Sequence, residues 1–143
     1  MPSADSPEEA GGFLKATLSC ESIDLASPRE VQQLAAAGGP KGITGGGECE
    51  NPAGGSSDAD FYTVEDMEAF QTAVKADEDA QDDLMIGDDF AVDPGDDDQR
   101  RKLLQAGLRF LNCTPGFQAP VGRTADDGEV DGCFTTDYSE DLD

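Results

Sequence analysis

Apolar positions along the chain come in short stretches, and several carry the spacing of a helix face. Phe13, Leu14, Thr17 and Leu18 form one such face. Ser6, Pro7 and Glu9 ahead of them read as a helix start: a capping hydroxyl, a proline at the first helical position and a carboxylate three residues after the cap. Gly11 and Gly12 weaken that helix from within. The same start recurs at Ser27, Pro28 and Glu30, followed by Val31, Leu34 and Ala35 and stopped by Gly38, Gly39 and Pro40. Val64, Met67, Phe70 and Val74 recur at spacings of three, three and four, with Thr63 as cap, and predict the clearest helix. Leu103, Leu104, Leu108 and Leu111 line a fourth, entered from Asp96, Asp97 and Asp98, whose charges suit the positive helix end.

Other stretches predict no helix. Residues 38–57 hold eight glycines and two prolines and read as a long loop. Leu84, Met85 and Ile86, then Phe90, Ala91 and Val92, are apolar islands in an acidic run. Beyond Asn112 the chain is punctuated by Pro115, Gly116, Pro120 and Gly122, with turn residues at 128–132 that suggest a short hairpin. The expected architecture is mainly α with extensive irregular structure: three to four short helices, long Gly/Pro-rich loops, a small core and a short β hairpin near the C-terminus. The expected organisation is a single acidic domain over 1–143. Its parts are a helical portion (6–37), a Gly-rich loop (38–60), a helical portion (61–112) with an acidic run at 77–98, and an irregular tail (113–143).

Composition sharpens this picture. The 143 residues carry 32 acids against 9 bases, a formal net charge of −23, with neither His nor Trp. Leu, Ile, Val and Phe together make up less than a fifth of the chain. So few core formers under so much charge leave little to offset chain entropy, so a staple or a partner is expected. The charge repels nucleic-acid backbones and anionic lipid, so no direct nucleic-acid contact is expected. No apolar run is long enough to insert in a membrane. The acidic first nine residues lack a leader's charged and apolar regions, so a virion or cytoplasmic setting is expected. The surplus of Asp over Glu also matches halophilic-like composition. Arg100, Arg101 and Lys102 form the one basic cluster, and neutralising the acids before them is its simplest role.

Three staples are open. Cys20, Cys49, Cys113 and Cys133 allow three disulfide pairings, the sequence-adjacent one closing loops beside the least regular segments; four reduced thiols are the alternative. A Cys₄ zinc site lacks any close pair of ligands. Asp127, Glu129 and Asp131 stand at positions one, three and five of a calcium-type loop, with Gly132 at six, yet Tyr138 occupies position twelve, where a bidentate carboxylate belongs. Asp58 and Asp60 are weaker candidates of the same kind. Residues 63–74 resemble the helix that follows a dockerin-type calcium loop, but residues 54–62 lack its ligand pattern, so nothing is carried over. The third staple is a set of neighbouring subunits. Val64, Met67, Phe70, Leu84, Met85, Ile86, Phe90, Leu103, Leu104, Leu108 and Leu111 would then be anchors against them.

The function expected from these features is a non-enzymatic structural or adaptor component of a large protein assembly, a virus or phage particle being the favoured setting. Its partners would be other protein subunits, and no small-molecule substrate is expected. The alternatives are an acidic nucleic-acid mimic that inhibits a basic DNA- or RNA-binding protein, and a calcium-binding or disulfide-stapled extracellular module. Catalysis needs a carboxyl in a desolvated frame, and no such frame is legible.

Overall fold

The computed structural model describes residues 1–36, 41–51, 58–76 and 84–139. The first helix, α1 (Pro7–Leu18), begins where its cap predicts, with the Ser6 hydroxyl accepting from the Glu9 amide at 3.1 Å. Strand β1 (Ser22–Leu25) follows, then α2 (Pro28–Ala36), capped by Ser27, whose hydroxyl and the Glu30 amide lie 3.2 Å apart. Next come β2 (Ile43–Glu50), β3 (Ala59–Val64) and α3 (Met67–Ala76). The order closes with β4 (Met85–Ile86), β5 (Phe90–Asp93), α4 (Asp97–Gln105), β6 (Arg109–Asn112), β7 (Ala125–Asp127) and β8 (Phe134–Thr136).

The eight strands form one sheet in the order β1-β2-β3-β5-β4-β6-β8-β7, every neighbouring pair antiparallel. The fold is therefore not mainly helical: strand content nearly equals helix content. The largest departure lies in the expected glycine loop, where β2 is instead the longest strand and pairs on both sides. Glycine normally weakens a strand interior, but close backbone approach reverses that preference. A Cβ on Gly45 would meet the Pro7 ring at 2.4 Å, and one on Gly47 would meet the Asp24 carbonyl oxygen at 2.4 Å.

Two further segments differ from the helices expected of them. The stretch from Val64 is split, because Thr63 lies in β3 and its hydroxyl pairs with that of Thr44 at 3.0 Å. The true cap of α3 is Asp66, which accepts from the Ala69 amide at 3.0 Å. Helix α4 stops at Gln105, and Gly107, at φ +109°, turns the chain into β6. Leu103 and Leu111 thus reach opposite faces of the sheet instead of sharing a helix side. The hairpin expected near the C-terminus is present as β7 and β8.

The core is correspondingly larger than expected and lies on both faces. Under α1 and α4, a cluster joins Leu14 and Leu18 to Phe61, Met85, Phe90, Val92, Leu103, Leu108 and Phe110. Under α3, a second joins Val64, Phe70, Val74, Ile86, Ala91 and Leu111. The residues expected to anchor the chain on other subunits are thereby placed inside this protein. Val64, Phe70, Met85, Ile86, Phe90, Leu103, Leu108 and Leu111 are buried, and Met67, Leu84 and Leu104 pack against the clusters. Consecutive apolar residues on short strands, read as isolated islands, are what a sheet buried on both faces needs, because neighbours along the strand point to opposite faces. The sheet's edges are β1 and β7, which carry Asp24 at one end and Asp126 and Asp127 at the other.

Candidate functional site

Directly opposed residues on antiparallel strands project to the same face, with Cβ atoms about 4.5–5.5 Å apart. The register opposes Asp24 to Glu48, Glu48 to Asp60, and Asp60 to Asp93. Four carboxylates therefore stand in one row across β1, β2, β3 and β5, on the same face as α3. Asp24, Asp60 and Asp93 are exposed and Glu48 is half-buried. The row has a physical origin in period-two patterning. Glu48 and Glu50 flank the buried Cys49, and Asp60 and Tyr62 alternate with the buried Ala59, Phe61 and Thr63.

The crowding shows in the proton affinities. A hydrogen bond with the Asp58 carboxyl, then burial, then the charges of Asp60, Asp58 and Glu50 push Glu48 up to about 7. Partial desolvation against the neighbouring strands, with Asp93 and Asp58 adding, holds Asp60 above the usual carboxylate range although it reaches solvent. Partial desolvation also raises Asp93, while Arg100 pulls it down. Burial first, then Asp60 and Asp93, pushes the Tyr62 phenol up to about 12. Like charges held in register favour proton uptake.

Beside the row lies a cleft of about 500 Å³ between α2 and the sheet. Asp24, Glu30, Glu48 and Asp60 supply its charge, Val31, Leu34 and Tyr62 its apolar walls, and the glycines of β2 its floor. Gly46, the residue opposed to Tyr62, is held as glycine by close approach, since a Cβ there would meet the Phe61 carbonyl oxygen and the Tyr62 ring. Leu34, at 38% exposure, is among the few large apolar side chains left open to solvent.

Of the residues singled out from sequence, Asp60 stands in the row and Asp58 bonds Glu48, while the others fall elsewhere. Cys20 is bridged to Cys49 and Cys113 to Cys133, the first pair in the core under α1 and the second in the core under α3. Asp127 is the last residue of β7, opposite Phe134, and Glu129 and Asp131 lie in the turn that follows. That turn is held by the Gly128 amide on the Cys133 carbonyl at 2.8 Å and by the Glu129 amide on Gln71 Oε1 at 2.8 Å. Lys75 Nζ donates to the Asp131 carbonyl at 2.5 Å. Among the described residues, no group of three His, Cys, Asp or Glu side chains is placed to hold a metal ion. Arg100 pairs with Asp97 at 2.6 Å and Lys102 with Asp98 at 2.9 Å, both within α4. The part of the acidic run at 77–83 lies outside the described residues.

Asp24, Glu48 and Asp93 were missed because each is unremarkable in its own segment; only strand register unites them. The available signal was the alternation around Cys49 and Phe61. Among the described residues no helix is long and apolar enough to cross a membrane. Compared with protein-family models, with curated proteins and with solved structures, the chain matches none.

Proposed function

We propose that the protein is a non-enzymatic component of a larger protein assembly, and that it docks through the acidic face of β1, β2, β3 and β5 onto a basic surface of its partner. The observation that carries this reading is the row Asp24, Glu48, Asp60 and Asp93, held in register by the sheet. Rows of like charge cost stability, and a basic partner offsets that cost while steering encounter. The adaptor role expected from sequence is kept, but its contact chemistry changes from apolar anchors to carboxylates. Of the virion and cytoplasmic settings, the two disulfides favour a particle surface, where bridges persist. A basic nucleic-acid-binding protein is one partner this face would accept, which is the form in which the mimic reading survives.

Zero-length carbodiimide coupling in the native source, mapped by mass spectrometry, tests the proposal. The expected products join Asp24, Glu48, Asp60 or Asp93 to lysines of another protein. Products confined to the β7 edge or to α4 would overturn it.

A further inference from the structure

We infer that the cleft beneath α2 receives an arginine side chain from an extended basic segment of the partner protein. This rests on the docking face proposed above and names what that face grips. Charge complementarity is the first support. Four of the cleft's lining residues are acids, and none is Lys or Arg. Shape is the second: a glycine floor below and Val31, Leu34 and Tyr62 at the sides suit a long aliphatic stem that ends in a cation. The pairing of acceptors is the third. Glu48 and Asp60 are directly opposed across β2 and β3, which offers neighbouring carboxylates to a planar fork of donors. An ammonium has no such fork, so arginine is favoured over lysine. The ring of Tyr62 adds an aromatic wall for the guanidinium. A second copy of this chain, itself at a net charge of −23, would be repelled by the face and is disfavoured.

Occupancy couples to protons. Glu48 faces Asp24 from β1, Asp58 and Asp60 from the β3 side and Glu30 from α2, with Glu50 on its own strand; Asp93 lies one strand further on, under the influence of Arg100 from α4. A bound guanidinium favours the ionised form of Glu48, so binding expels a proton and tightens as pH rises through about 7.

The test is calorimetry on the intact, oxidised protein with a capped heptapeptide carrying arginine at alternate positions, beside its lysine and glutamate analogues. The arginine peptide is expected to bind more tightly than the lysine one, and the glutamate one not at all. Replacing Glu48→Gln with Asp60→Asn should weaken binding about tenfold and flatten its pH dependence. Replacing Asp126→Asn with Asp127→Asn, which removes the same number of carboxyl groups from the far edge, should cost less than about twofold. Leu34→Ala, at an exposed position that leaves the fold intact, should weaken binding about threefold without changing charge. No loss in Leu34→Ala, or equal affinity for lysine, would overturn the cleft assignment and leave the docking face standing, whereas equal losses in the two double variants would overturn both. Failure of every basic peptide to bind at low salt would overturn both. Calcium chloride binding that depends on Glu48 and Asp60, with no arginine peptide bound, would assign the cleft to a cation instead.

Discussion

At the scale of single residues, adjacent glycines in α1 do opposite work. A Cβ on Gly11 would meet the Ile23 Cγ2 at 2.8 Å and the Phe61 ring at 3.4 Å, whereas Gly12 has nothing within 4 Å. Gly12→Ala should therefore stabilise the protein by about 0.5–1 kcal/mol, the ordinary helix preference for alanine. Gly11→Ala should destabilise it by about 1–3 kcal/mol, the cost of forcing a helix away from its sheet. Urea unfolding of the two variants reads both signs, and a gain from Gly11→Ala would mean that α1 does not sit on Ile23 as described. The sequence shows two glycines weakening one helix. It does not show that one of them, Gly11, is required by a strand that begins only at Ser22.

At the scale of elements, what was legible was local. The Ser6 and Ser27 caps mark α1 and α2, and the turn residues at 128–132 mark the last hairpin. Strands were hidden wherever they are short or glycine-rich. β4 has two residues, and β2 carries three consecutive glycines because other backbone and side-chain atoms press on it. The leucines from 103 to 111 fit one helical face by count, but Gly107 breaks the helix and sends the last of them through the sheet. The bridges act on elements too. Cys20–Cys49 ties the end of α1 to the end of β2 across a separation of 29 residues, and Cys113–Cys133 ties β6 to β8 across 20. Loops of this length contribute about 3 kcal/mol each. Because the pairs lie in different core clusters, the losses from Cys20→Ala with Cys49→Ala and from Cys113→Ala with Cys133→Ala should add. Denaturant unfolding of each double variant and of the quadruple checks both magnitude and additivity.

At the scale of the whole molecule, the carboxylate row sets how stability responds to pH. Glu48, Asp60 and Asp93 hold protons more tightly in the fold than free carboxyls do. In the window between the ordinary carboxylate range and about 7, the native state thus binds more protons than the unfolded chain, and stability falls as pH rises. The urea midpoint should be higher at about pH 5 than at about pH 8, and Glu48→Gln should flatten the difference. A midpoint that rises with pH would contradict the register of the row. The net charge was legible from the first count of residues; the row was not, because its members come from four strands that span 24 to 93. Nothing in the chain's linear order brings Asp24 beside Glu48 until β1 folds back along β2.

The two open edges of the sheet carry acids, Asp24 on β1 and Asp126 with Asp127 on β7. Charged edges are how sheet proteins refuse a further strand from another chain. The mild acid that tightens the fold also strips charge from a chain that starts at −23. Thermodynamic stability and the charge repulsion that keeps copies of the chain apart consequently peak at opposite ends of the same pH range.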